Sequence, residues 1–425
     1  MRMRSVLSLT VVCSGVVMAQ SRKLTLSEAE ERALHNHPRA ASATLIAQAA
    51  KMGITEARAP YSPQVYGAVT GVAAEHGSTL AAGTIQTSSL YSRIAAGVTV
   101  SQLVTDFGRT GNLVASAKAR AEAQDQNAAN VRASIRIVID QAYYEALSAQ
   151  SVLKVAQAVS ANRELLLRQV QALAQSSLKS TLDVSFAEVA ASEAELGLVR
   201  AENDARAAQA RLSAAMGSAQ AETYDLVDEP LPAPLDPSAE TLRDQALKQR
   251  PDLAALQANR DAAQRFAHAE KDLNRPTVGL VGVAGGLPDT DPRLKGTYSA
   301  AGVNVSIPIL NGRLFSARRT EAELRAQAAE KDVEDLSVQI SEQVLLAWLE
   351  ADTAFRRLDV TARLGAEAEQ ALRLARTRYE IGLGSIVEVN QAQLSEVSAE
   401  IAAAGAKYDY LSRRAALAFV TGALR

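Results

Sequence analysis

The chain holds one cysteine, Cys13, one tryptophan and four histidines in 425 residues. A single cysteine excludes a disulfide framework and any multi-cysteine metal or cluster site. Of the histidines, His35 and His37 stand two apart, so a helix points them to different sides and they make a poor metal pair. His76 and His268 are isolated. Aromatics are 4% of the chain, too few for a protein built on nucleobase stacking. With 45 Lys+Arg against 47 Asp+Glu there is no basic excess to neutralise phosphates, so no nucleic-acid partner is expected. Beyond the first twenty residues no run of about 18 apolar residues exists, so no transmembrane helix is available. Gly282 with Gly285-Gly286 lacks the helix start and acidic partner of a nucleotide fingerprint. No nucleophile–base–acid constellation occurs, and the expectation is a non-enzyme without cofactor or metal.

What is present begins at the N-terminus. Arg2 and Arg4 precede an apolar run over residues 6–17, and Val17-Met18-Ala19 offers a cleavage site. This reads as a secretory signal peptide over residues 1–19. Cys13 lies inside it with Val12 before it, which is unfavourable for lipid attachment. Removing Arg2 and Arg4 from 45 basic residues leaves 43 against 47 acidic ones, and a mature chain without cysteine suits an oxidising compartment.

Proline then divides the chain. None falls between Pro63 and Pro230, and none follows Pro308. Because proline costs a helix interior about 3 kcal/mol, these Ala-, Glu-, Gln-, Arg- and Leu-rich tracts permit long helices. The halves also align. Leu34, Pro38 and Pro63 match Leu247, Pro251 and Pro276 at one offset, 213. Ala95-Ala96-Gly97-Val98 matches Ala300-Ala301-Gly302-Val303 at 205, as do Tyr143-Tyr144-Glu145-Ala146 with Trp348-Leu349-Glu350-Ala351, and Gly217 with Gly422. Two offsets shared by a whole set of matches indicate duplication. The first repeat spans 20–229 and the second 240–425, joined by a proline-rich linker at 230–239.

Each repeat reads helix, strand, strand, long helix, return helix. Thr25 and Glu28 form a capping box, His37-Pro38 breaks the first helix, and a second covers about 39–58. Strands are expected near 64–74 and 90–104, separated by a loop over 75–88, and again near 276–285 and 296–309, separated by a turn at Gly285-Gly286-Leu287-Pro288-Asp289. The helical hairpins cover about 108–216 and 313–421. An outward helix over 108–174 would be about 100 Å long. Its return, 182–216, is about half that, and the helix at 39–58 has the missing length. Apolar residues at three- and four-residue steps, Ile135, Val138, Ala142 and Leu153 or Leu336, Ile340, Val344 and Leu345, indicate coiled-coil-like packing. Trp348 and Tyr143-Tyr144 read as interhelix packing, while Tyr66, Tyr91, Phe107, Tyr298 and Phe315 are candidate interfacial aromatics.

The strands are long for a globular protein and about the length of a tilted transmembrane strand, roughly 9–11 residues. A soluble β-subdomain is the competing reading. Four strands cannot close a membrane barrel, which needs about eight, so a membrane reading requires oligomers: two chains give eight strands and three give twelve.

Three motifs carry a family resemblance over essentially the whole mature chain. They are Leu34-His35-Asn36-His37-Pro38, echoed by Leu247-Lys248-Gln249-Arg250-Pro251; Val100-Ser101-Gln102-Leu103-Val104-Thr105-Asp106-Phe107-Gly108-Arg109, echoed by residues 305–313; and Tyr379-Glu380-Ile381-Gly382-Leu383-Gly384-Ser385-Ile386-Val387-Glu388, continuing to Gln393. In this order the chain resembles the TolC-like outer-membrane efflux proteins. The resemblance implies a mainly α protein with a small transmembrane β part. It would be a homotrimer, with a 12-stranded β-barrel in outer-membrane lipid and a long α-helical coiled-coil tunnel in the periplasm. It implies a passive export duct of a tripartite efflux or type I secretion system. The partners would be a periplasmic adaptor (membrane fusion protein) and an inner-membrane transporter of RND, ABC or MFS type. The alternative is a soluble periplasmic coiled-coil scaffold or adaptor without a pore.

The same resemblance assigns a periplasmic gate to Asp183, Tyr379, Glu388 and Gln391. Asp183 would pair with Tyr379, and Glu388 would form a carboxylate ring favouring cations. Leu178, Lys179, Ser180, Gly382, Leu383, Gly384 and Ser385 would be adaptor-contact tips. Ordinary turn chemistry competes with these roles: Gly382 and Gly384 can supply positive φ, and Ser180 with Asp183, or Ser385 with Glu388, can cap a helix for about 1 kcal/mol each. The sequence departs from the family pattern at Gly384, where some members carry a gate-locking arginine, at Gln391, where a second ring acid can occur, and at Ser177, usually glycine.

Overall fold

The computed structural model describes residues 22–73, 79–82, 85–89, 92–232, 234–235, 238–290 and 295–424. The signal-peptide expectation, Cys13, His76, Leu90, Tyr91 and part of the linker lie outside them. Among the described residues the order is β1 (Arg22–Leu24), α1 (Leu26–Asn36), α2 (Pro38–Arg58), β2 (Gln64–Val72), β3 (Thr79–Ala82), β4 (Ile85–Ser89), β5 (Arg93–Thr105), α3 (Arg109–Gln175) and α4 (Thr181–Ala215). There follow β6 (Tyr224–Leu226), α5 (Ala239–Gln249), α6 (Pro251–Lys271), β7 (Thr277–Thr290), β8 (Thr297–Ser306), α7 (Leu314–Glu380) and α8 (Ile386–Val420). Both long helices have 67 residues and both return helices 35. The bounds of α2 and α6 differ by the first sequence offset, and those of α3 and α7 or α4 and α8 by the second.

Local chemistry accounts for the helix boundaries. Thr25 N donates to Glu28 Oε2 and Glu28 N to Thr25 Oγ1, a reciprocal box that starts α1. His37 then stands between two helices. Pro38 cannot donate an N–H, and the His37 ring accepts from Arg39 N at 3.1 Å to cap α2. Phe107 and Gly108 before α3, and Gly312 and Arg313 before α7, have positive φ and turn the chain from strand to helix.

The chain forms two compact units. One comprises Leu34–Ile137, Pro234–Thr353 and Arg413–Arg425. Its four-stranded antiparallel sheet has the order β2-β5-β7-β8. Cross-strand registers put Val65, Val100, Gly282 and Ala301 on one face, with Val69, Ala96, Val98, Ala284, Leu280 and Val303. Tyr66, Thr99, Ser101, Gln64, Tyr298 and Asn304 lie on the other. The apolar face is uncovered: Val65, Val69, Val98, Leu280 and Val303 are all exposed. In the same unit Ala246, Leu253, Val333, Ile340 and Val344 form a buried cluster.

Several expectations need correction. The expected loop over 75–88 contains strand pairing, since β3 and β4 pair antiparallel. Residues 285–289 are no turn but part of β7, which runs on to Thr290. Leu287 and Pro288 together oppose Ala95 in a bulge of the β5–β7 ladder, where a proline without N–H breaks no ladder bond. β8 ends at Ser306 rather than 309, because Pro308 cannot donate to the ladder. Val138 and Leu345 are exposed in the chain, whereas Ile135, Ile139, Ala142, Ile340 and Val344 are buried. Each exposed residue sits one position, or 100°, off the buried stripe.

The second unit comprises Met1–Ala33, Val138–Ala233 and Ala354–Ser412. It contains the parallel pair β1–β6, which the sequence did not suggest. Tyr143, fully buried on α3, places its hydroxyl 2.8 Å from Leu24 O and 2.7 Å from Val227 O, fastening this pair to the helix. Tyr144 donates to Glu229 Oε2 at 3.0 Å. Both helix tips also belong to this unit.

Candidate functional site at the helical tips

The turn between α3 and α4 opens with Ser177 at φ 60, and Leu178 N donates back to Leu173 O at 2.9 Å. The turn between α7 and α8 repeats this with Gly382 at φ 78 and Leu383 N donating to Arg378 O at 2.8 Å. Both are Schellman-type ends, in which a left-handed residue lets the next amide return to the helix. Each turn presents a leucine, Leu178 and Leu383, each 70% exposed. Gly384, expected to supply positive φ, is not among the positive-φ glycines. Its need is space, since an added Cβ would meet Arg378 Cβ at 3.1 Å and Tyr379 N at 3.2 Å.

Asp183 completes a full capping box with Ser180. Ser180 N and Oγ donate to Asp183 Oδ2 at 3.0 and 2.9 Å, and Asp183 N donates to Ser180 Oγ at 3.2 Å. Glu388 N donates to Ser385 Oγ at 3.2 Å, while the Glu388 carboxylate faces Arg378 Nε at 3.8 Å. Gln391 is exposed on the first turns of α8.

Tyr379 is buried with Leu372, Ile386 and Val389, and Leu166, Ala375 and Ala392 pack against them. Its hydroxyl has no hydrogen-bond partner among the described residues. Lys179 Nζ lies over its ring, 3.6 Å from the centroid. Burial, and then the negative charge of Asp183, push the Tyr379 phenol up. Asp183 and Tyr379 are thus electrostatic neighbours without a hydrogen bond between them in one chain.

A cavity of about 390 Å³ adjoins these groups, lined by Leu165, Leu166, Gln169, Lys179, Arg376, Tyr379, Glu380 and Gln393 among others. The same unit holds a buried polar contact that the sequence did not suggest. Arg163, only 6% exposed, donates through Nη1 to Asn390 Oδ1 at 2.7 Å. Burial holds its guanidinium below the usual arginine range, with Glu193 acting against that and Arg376 with it. Glu396 is pushed up by burial first and by Glu400 second.

The site thus combines long capped hairpins and two matching exposed turns, in a chain whose β-sheet leaves an apolar face uncovered. The family model described as "Outer membrane efflux protein" matches residues 30–218 and 242–423. The chain belongs to that family, and is an outer-membrane efflux channel protein that extends into the periplasm. This sets aside the soluble-scaffold alternative. A curated relative, "Outer membrane efflux protein BepC" of Brucella suis biovar 1 (strain 1330), is 25% identical over 99% of this chain and 90% of its own length. A membrane protein from Pseudomonas aeruginosa shares the fold with TM-score 0.80 at 21% identity, covering 93% of each chain. The outer membrane protein VceC of Vibrio cholerae does so with TM-score 0.77 at 19% identity, covering 93% of this chain and 96% of that one.

Proposed function

We propose that this chain is the outer-membrane duct of a tripartite efflux or type I secretion system and works as a homotrimer. The carrying observation is the sheet. Its four strands expose an apolar face, and among the described residues its edge strands β2 and β8 each have one neighbour. In hydrocarbon every backbone N–H and C=O needs a partner, so an open four-stranded sheet is untenable there. Three copies would give twelve strands and a closed barrel. The two repeats, 20–229 and 240–425 with the linker at 230–239, would each supply two strands and one helical hairpin. The mixed polar face, with Tyr66, Thr99 and Asn304, would then line the lumen.

The tips would form the periplasmic end. Leu178 and Leu383, with the turn residues around them, would meet a periplasmic adaptor, which links the duct to an inner-membrane transporter of RND, ABC or MFS type. Tyr379 and Asp183 would hold the gate, with Glu388 and Gln391 at the constriction. The test is reconstitution of detergent-purified protein in a planar bilayer, with its mass measured in the same detergent. Trimeric mass with discrete openings is expected. A monodisperse monomer that never conducts would reject the duct.

A further inference from the structure

The two tip turns of one chain meet through a cation on an aromatic face. Lys179 lies in the α3–α4 turn, half-buried, and Tyr379 in the last turn of α7. The ammonium stands 3.6 Å from the ring centroid. The ring is 8% exposed and backed by Leu372, Ile386 and Val389. A hydroxyl-based latch between Tyr379 and Asp183 is not formed among the described residues. Asp183 Oδ2 accepts from Ser180 N and Oγ, and among the described residues the Tyr379 hydroxyl has no hydrogen-bond partner.

We propose that the contact holding the two turns together is the Lys179 ammonium on the Tyr379 ring, so that Lys179 positions the gate. The inference rests on the gate reading given above. An aromatic quadrupole attracts a cation over its face, more strongly where water is excluded, and the apolar backing of Tyr379 provides that exclusion. The contact joins the first hairpin to the second, so dilation of the tip by moving one hairpin must break it. Asp183 contributes charge and the helix cap rather than the bond itself.

The test is closed-state conductance of reconstituted full-length protein, with detergent-stable assembly checked for each variant. Lys179→Gln is expected to raise it several-fold, and Lys179→Arg, which keeps a cation over the ring, to restore it. Tyr379→Phe keeps the ring face and removes the hydroxyl, so it should open far less than Lys179→Gln. Tyr379→Leu and the double variant Lys179→Gln/Tyr379→Leu should match Lys179→Gln alone, because all three remove one contact. Lys179→Gln behaving as wild type, Lys179→Arg failing to restore closure, or Tyr379→Phe opening as widely as Lys179→Gln would each overturn the proposal while leaving the duct intact. Assembled protein that inserts but never conducts, in wild type and variants alike, would overturn the duct reading and this one together.

Discussion

Arg378 and Glu388 face each other across the second tip turn, Nε to Oε2 at 3.8 Å, with Gly384 between them. Arg378 also donates through Nη2 to Leu383 O at 3.1 Å, which fixes the guanidinium over the turn. A side chain at 384 would press on Arg378 Cβ and on Glu388 Oε2, so glycine leaves room for the pair. Glu388 therefore carries its own counter-charge, and the carboxylate ring proposed for the pore end would be muted within each chain.

Selectivity should report this. Both side chains are more than half exposed, so the pair adds little stability, of the order of 0–1 kcal/mol. In water a unit charge acts on an ion about 4 Å away with about 1 kcal/mol, roughly a fivefold change in local concentration. Glu388→Gln should lower the cation-to-anion permeability ratio, and Arg378→Gln should raise it by up to about that factor. Reversal potentials across a salt gradient measure both. Equal ratios for wild type and Arg378→Gln would show that Glu388 is not held by Arg378 in the open pore.

Ser177 is a conformational weak point. It sits at φ 60 where the matching turn has Gly382. The left-handed region costs a non-glycine residue roughly 1–2 kcal/mol, and glycine loses part of that gain as backbone entropy. Ser177→Gly should stabilise the first turn by about 0.5–1 kcal/mol. Hydrogen exchange at Leu178 N, which bonds Leu173 O, should slow accordingly. Unchanged or faster exchange would contradict this.

The architecture was legible where chemistry punctuates the chain. Pro38 and Pro251, the Thr25–Glu28 box and the paired offsets mark helix boundaries within a residue of those observed. The β1–β6 pair was not, since three-residue strands carry no period and exist only because their partner is 202 residues away. The β7 bulge was misread because Gly-Gly and Pro-Asp are turn signals that a ladder irregularity also accommodates. At the tips the capping residues were readable, but their consequences were not. Only the family resemblance put Asp183 and Tyr379 in one region, and the choice of Lys179 as the ring's neighbour depends on tertiary geometry. Nothing in the local sequence distinguishes Arg163, whose partner Asn390 is 227 residues distant.

The sheet makes its own prediction through Tyr298. A Cβ added at Gly97 would meet the Tyr298 hydroxyl and Ala284 O, and one at Gly285 would meet Ala96 O and the same ring. The tyrosine lies across two glycines on neighbouring strands, an arrangement that covers bare backbone with an aromatic. Gly97→Val should sharply reduce the yield of assembled protein resistant to mild detergent. Gly97→Ala with Tyr298→Ser should recover only part of it, since Ala284 O remains in the way. Full assembly of Gly97→Val would mean that the strands separate enough to accept a side chain there.

Alkaline pH should loosen the β1–β6 anchor. Burial, followed by the charge of Glu229, pushes the Tyr143 phenol up to about 12, and burial with a hydrogen bond to Glu222 does the same to Tyr224. The unfolded phenol titrates near 10, so between about pH 10 and 12 the folded state holds more protons than the unfolded one. Stability from these groups is complete below about pH 10 and falls as pH rises through 12. Tyr143→Phe removes the hydroxyl that reaches Leu24 O and Val227 O, and should cost about 1–2 kcal/mol at neutral pH. It should also flatten the alkaline decline, leaving the part due to Tyr224 and to Tyr144, whose phenol is likewise pushed up by burial and then by Glu229. Thermal melts of both proteins at pH 8 and pH 11, with phenolate absorbance followed in parallel, decide the matter. Identical declines in wild type and Tyr143→Phe would show that this hydroxyl is not a source of the pH dependence.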